Sequence, residues 1–350
     1  MRIANFGKNL QLFLAFVFLF SFGINFAFAQ LRENKSNIER EDEINSRKTN
    51  RDSKSNWKTL QVAKNLSGTP AEKSIAVDEK IKLQFCVSEG NVKVTGWDRN
   101  EVRVFINEGS QIGFNIIQSR EKTKKPVWIA ALGYEPSKNK GKRVDECLSG
   151  DDIEIEVPHN ATVNIKGRSS KTKIDSVRKV NIKNIGGGIF LNNIAEGIEA
   201  ATYEGDVTVE KSSGAITLES VSGNILAFDV HAGEIGDVFK AKTSSGLISL
   251  QDIGHRQLEI ETNSGSIKFN GAFAEGGQYG FGTTNGAINL IIPANSSCKI
   301  SASYGFGAFS SEIPMQNLVK SQSTSVKNLS ATLGGGDCTL NLRTYNGTII

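Results

Sequence analysis

The chain has 350 residues and a formal net charge of +4, too near neutral for whole-domain attraction to nucleic acid. Glycine is abundant at 35 residues, while methionine and proline number only 2 and 6. That composition favours tight turns and strands and argues against a helical core.

The N-terminus reads as a signal peptide over residues 1–29. Arg2 and Lys8 lie in or beside a short basic region, an apolar run follows from Leu10 to Phe28, and Ala27-Phe28-Ala29 supplies a small-x-small cleavage pattern. Ser21, Gly23 and Asn25 interrupt the run, so a retained membrane anchor fits less well. Cleavage removes Arg2 and Lys8 and no acidic residue, lowering the balance from +4 to +2. The expectation is an exported protein of the periplasm, cell surface or extracellular space, with no membrane span after cleavage.

Residues 30–74 are polar and dense in mixed charge, with Trp57 the one aromatic side chain. This segment is expected to be a disordered tether. Period-two alternation begins near Ile81: Ile81, Leu83, Phe85 and Val87 share one phase, continued by Val92, Val94, Val102, Val104 and Ile106. Such spacing predicts half-buried strands. Between about 119 and 143 the pattern breaks into a basic loop carrying Lys122, Lys124, Lys125, Lys138, Lys140, Lys142 and Arg143 around Trp128 and Tyr134. Charge plus aromatic stacking could hold an anionic glycan or cell-envelope polymer there; a merely solvated loop is the competing reading. The following "DIEIEVP" sets Asp152, Glu154 and Glu156 outward. That row fits a solvated face paired with lysines better than a calcium site, whose ligands converge from a curved loop.

From Val180 a repeat takes over. With a corner glycine as zero, apolar or small residues fall at −7 and −5, small polar residues at −3 and −1, and apolar ones at +2 and +4. The frame places corners at Gly187, Gly205, Gly223, Gly246, Gly265, Gly286 and Gly305, spaced 18, 18, 23, 19, 21 and 19 residues apart, and again at Gly347. The expected fold is all-β: a β-solenoid, a β-helix-like stack of coils about 20 residues long over residues 75–350. Hairpins of a β-sandwich are the alternative, but the period persists too long for them. Glycine at each corner is expected to supply positive φ, with neighbouring Ser, Thr and Asn satisfying turn groups. The long gap before Gly347 is read as two coils, one degenerate. Ending on Ile349 and Ile350, the stack is expected to leave a C-terminal edge open to self-association.

The "GNVKVTGWDRNEVRV" entry, the SG and NG corners and the "GGGDCTLNLRTYNGTI" ending resemble a bacterial putative-adhesin family of unknown function. Its β-strand repeats are similar to head-domain modules of autotransporter-type adhesins. The resemblance covers roughly residues 81–350, implies a β-repeat fold, and brings no catalytic residues with it.

Chemistry is sparse. There is no HExxH, GxSxG or Walker-type loop. Ser176 and Lys179 match SxxK, but in strand-rich sequence rather than on the helix that motif needs. His159, His231 and His255 each stand alone and read as turn histidines. Hence no catalytic, cofactor or metal site is expected. Cys86, Cys147, Cys298 and Cys338 form an even set without CxxC spacing, suited to disulfides in an exported protein. Cys298 and Cys338 share an inward phase, and Cys86 lies outward within reach of the basic loop, which points to pairs 86–147 and 298–338. The functional expectation is an exported, non-enzymatic binding module. A structural envelope protein joining through sheet edges is the alternative, and a carbohydrate-active enzyme fits less well, because no acidic cluster recurs across rungs.

Overall fold

The computed structural model describes residues 70–136, 146–234, 236–323 and 325–350. The expected signal peptide, Trp57 and nearly all of the expected tether lie outside them. Among the described residues there is no helix. The N-terminal part supplies β1 (Ala71–Ala76), β2 (Lys82–Trp97), β3 (Glu101–Gly109), β4 (Gly113–Ser119), β5 (Pro126–Leu132), β6 (Leu148–Pro158) and β7 (Thr162–Asp175). A regular stack follows. It comprises β8 (Lys179–Gly186), β9 (Ile189–Asn192), β10 (Gly197–Glu204), β11 (Val207–Ser213), β12 (Ala215–Ser222), β13 (Ile225–His231), β14 (Val238–Ser245), β15 (Ile248–Gly254), β16 (Gln257–Ser264), β17 (Ile267–Asn270), β18 (Gln278–Asn285) and β19 (Ile288–Ile291). The C-terminal part adds β20 (Cys298–Phe306), β21 (Gln316–Gln322), β22 (Lys327–Leu333) and β23 (Cys338–Asn346).

Each coil of the regular stack contributes one strand to each of two faces. On the first face, β8, β10, β12, β14, β16 and β18 pair in parallel. On the second, β9, β11, β13, β15, β17 and β19 do the same. The long strands β2 and β7 serve both faces, their first halves in one and their second halves in the other. This is the expected all-β solenoid.

Alternation fixes what the coils enclose. In β10 and β11, Ile198, Ala200, Val207 and Val209 are buried, and the same positions repeat as Ile216, Leu218, Ile225 and Ala227. Each buried Val, Leu or Ile side chain contributes about 1.5–3 kcal/mol relative to exposure. The core grows aromatic toward the C-terminal end. There Phe269 stacks on Phe273 at 5.1 Å, and Phe273 meets Tyr279 at 4.3 Å.

The corners fall in a single column, and the expected positive φ accounts for only some of their glycines. Gly187 and Gly205 have φ of +99° and +143°, but Gly223, Gly246, Gly265, Gly286 and Gly347 lie outside the left-handed range. What they share is proximity. A Cβ on Gly265 would lie 1.9 Å from the Gly246 carbonyl oxygen, and one on Gly286 the same distance from that of Gly265. The residue three before each corner completes the device. The hydroxyls of Ser220, Thr243 and Thr283 donate to the carbonyls of Gly205, Gly223 and Gly265 at 3.0, 3.0 and 2.9 Å.

Four further expectations are corrected. Strand β1 includes residues 71–74, which the sequence places in the tether; pairing with β3 makes this polar segment a sheet edge. The segment read as basic loop contains β5, whose apolar "VWIAAL" pairs with β2 and β4. The corner expected at Gly305 falls at Gly307: a Cβ on Gly307 would lie 2.0 Å from the Gly347 carbonyl oxygen, whereas Gly305 lies within β20. No degenerate coil separates the last two corners. Instead β22 pairs antiparallel with β20, β21 with β22, and β23 inserts between β18 and β20. The C-terminal strand is therefore interior, and the exposed edge at this end of the first face is β21.

Both disulfides join the pairs to which the phases pointed. Cys298 and Cys338 are register partners, buried, with Cα atoms 4.3 Å apart. Cys86 is joined to Cys147 with Cα atoms 4.6 Å apart.

Candidate functional site

At its N-terminal end the first face carries a groove of about 510 Å³. Its floor comes from small outward side chains, Ala130 of β5 and the disulfide-bonded Cys86 of β2. Asn164 and Lys166 of β7 form one wall with Asn181 and Lys183 of β8, and Glu146 stands at the rim. These residues meet because parallel pairing puts Cys86, Lys166 and Lys183 in one row across three strands.

The groove is cationic and polar. The Lys183 ammonium is 3.4 Å from Glu199, whereas Lys166 is exposed and has no carboxylate partner among the described residues. Asn164 Nδ2 is buried without a hydrogen-bond partner, a donor that normally finds one. Farther along β5, the Trp128 indole donates to Gln84 Oε1 at 3.0 Å, and the Lys82 ammonium lies over its ring at 4.2 Å. The ring is thus fixed by a hydrogen bond and a cation–π contact.

Of the expected basic-loop residues, the structure gathers only some. Lys122, Lys124 and Lys125 are exposed in the turn joining β4 to β5, where Lys124 N donates to Arg120 O at 2.8 Å. Trp128 lies on β5 between that turn and the groove, and Tyr134 is half-buried just beyond the strand. Lys138, Lys140, Lys142 and Arg143 lie outside the described residues. The groove lysines, Lys166 and Lys183, were not anticipated. They come from separate rungs, and only their equal offset from "VNIK" at 163–166 and 180–183 signalled that they align.

Two carboxylates of the outward row, Asp152 and Glu156, and the three histidines are engaged locally. Arg103 donates to Glu72 at 2.7 Å and to Glu156 at 2.6 Å, and these bonds push the guanidinium's pKa up. Asp152 accepts from Asn91 at 3.3 Å. His231 is 2.8 Å from Asp229, while His255 is buried and bonded to the Gly214 carbonyl at 2.7 Å. Ser176, with φ of +59°, bonds Asp175 and sits on no helix.

A family model described as Toastrack DUF4097 matches residues 32–350. The chain belongs to that family. The Toastrack match takes in the charged segment from residue 32 as well as the stack. No curated protein matches the chain. Among solved structures it is similar to a putative cell adhesion protein from Clostridium sporogenes, at 11% identity and a TM-score of 0.26, covering 80% of this chain and 98% of that one. It is also similar to a putative adhesin from Bacteroides fragilis, at 16% identity and a TM-score of 0.39, covering 65% and 96%.

Proposed function

We propose that this Toastrack protein is an exported, non-enzymatic binding module that takes an anionic glycan or related cell-envelope polymer on its first face, in the manner of an adhesin. The observation that carries the reading is the N-terminal groove, where unpaired Lys166 and the buried, unpartnered Asn164 amide stand beside a fixed aromatic ring. Cationic heads recognise carboxylate or phosphate, and a rigid indole offers an apolar platform. Two disulfides suit an oxidising compartment.

Binding of the purified domain to immobilised acidic and neutral polysaccharides tests this. Lys166→Glu and Trp128→Ala should each weaken capture by acidic polymers about tenfold, the effect of a single charge-assisted contact. Release of reducing ends would instead mark an enzyme. A second reading, a structural envelope protein assembling through sheet edges, draws on β21, whose seven residues are all exposed and which, among the described residues, pairs with β22 alone. Ligand-independent growth in light scattering would favour it.

A further inference from the structure

The first face carries a second groove near its other end, also of about 510 Å³. Its floor is bare backbone. Gly282 of β18 and Gly305 of β20 line it, and Gly282 takes an outward position where the neighbouring strands present Glu261 on β16 and Arg343 on β23; Gly280 is the preceding outward residue of β18. Nothing in the fold demands glycine at these two positions of β18: a Cβ on Gly280 would meet no atom closer than 3.6 Å, and one on Gly282 none closer than 4.0 Å. Glycine weakens a strand interior, and where packing does not explain it, close approach of another molecule is one reason for it.

The walls have distinct chemistry. On one side Glu261 is neutralised by Lys242 at 2.8 Å. On the other, Arg343 has no hydrogen bond or ion pair among the described residues. Two strand spacings separate Glu261 from Arg343, about 10 Å, enough for a sugar ring. Beside Arg343 the Tyr345 ring lies against Gly305 and meets Phe306 edge-on at 5.7 Å. Both rings are open to solvent, 44% and 64% exposed.

Resting on the reading that this chain binds anionic glycans, we infer that the groove over Gly282 is a second carbohydrate site and that it takes a uronic-acid unit. Arg343 pairs with the sugar carboxylate through its planar fork. Tyr345 stacks on the ring face, and the glycine floor lets the sugar lie on the strand.

Calorimetric titration with oligogalacturonate tests the assignment, with its methyl ester as a neutral copy of the same shape and polyglycerol phosphate as a sugar-poor polyanion. The native protein should bind the oligogalacturonate and bind the ester at least tenfold more weakly. Arg343→Gln should lose at least tenfold in affinity. Gly282→Leu should fill the groove and abolish this binding without lowering the thermal unfolding midpoint. Unaltered affinity in both variants, with loss in Lys166→Glu, overturns this site and leaves the N-terminal groove standing. Preference for polyglycerol phosphate overturns the sugar assignment. Failure of the native protein to bind any of the acidic polymers overturns both readings.

Discussion

Along the corner column, a methyl group on Gly223, Gly246, Gly265, Gly286 or Gly347 would lie between 1.8 and 2.1 Å from a carbonyl oxygen of the adjoining rung, whereas on β18 one at Gly280 or Gly282 would meet nothing within 3.6 Å. The rim and the outer face thus use one residue type for opposite reasons. At the rim, backbones stack so closely that only hydrogen fits. On the face, the missing side chains leave space that the fold does not use. A solenoid separates these roles cleanly, because every rung repeats the same inward and rim positions while its outward positions stay free to vary.

The sharpest way to break this contrast is Gly265→Val. The side chain collides with backbone, which cannot yield without displacing a whole rung, so we expect a loss of about 2–4 kcal/mol. Chemical denaturation would show it as a lowered midpoint with an unchanged slope. An unaltered midpoint would mean that the rim tolerates what its geometry forbids.

The next contrast separates the close approach from the hydroxyl ladder beside it. Thr283→Val keeps the shape and removes the 2.9 Å bond to the Gly265 carbonyl. The expected loss is about 1 kcal/mol. Thermal unfolding that matches the native protein would show that the ladder adds nothing to the steric fit.

Much of this arrangement was legible in the sequence. The −3 position announced its role as a small polar residue, and inward positions such as Ile198, Ala200, Val207 and Val209 followed from strand alternation alone. The physical reason for the corner glycines was not legible, because positive φ and close approach both select glycine. Counting from Gly305 instead of Gly307 had a related cause, since both lie in the "YGFG" stretch and only stacking against Gly347 distinguishes them. The insertion of β23 between β18 and β20 escaped because a repeat read along the chain assumes that successive rungs are spatial neighbours. Both grooves escaped for the same reason: Lys166 with Lys183, and Gly282 with Arg343, meet only through register between strands.

A smaller effect concerns the opposite rim, where buried His255 bonds the Gly214 carbonyl. Burial holds its pKa below the ordinary 6.5, partly offset by that bond and by Asp237, with His231 adding to the lowering. Above pH 6.5 both folded and unfolded states carry the neutral ring and this destabilising contribution vanishes. As pH falls below that value the unfolded chain takes up the proton first, so stability declines until the folded pKa is reached, then levels. Unfolding midpoints from pH 8 to 5 should show this decline, and His255→Gln should flatten it. An equal slope in the variant would assign the pH dependence to other groups.

The most direct test of the contrast uses two glycines four residues apart, Gly282 within β18 and Gly286 at the corner that follows it. Each is changed to alanine, and the free energy of unfolding is measured by denaturant titration under identical conditions. Gly286→Ala should lose about 2 kcal/mol or more, while Gly282→Ala should match the native protein or gain about 0.5 kcal/mol from the better strand former. Equal losses in the two variants, or a larger loss at Gly282, would contradict the division between a rim that requires glycine and a face that leaves room.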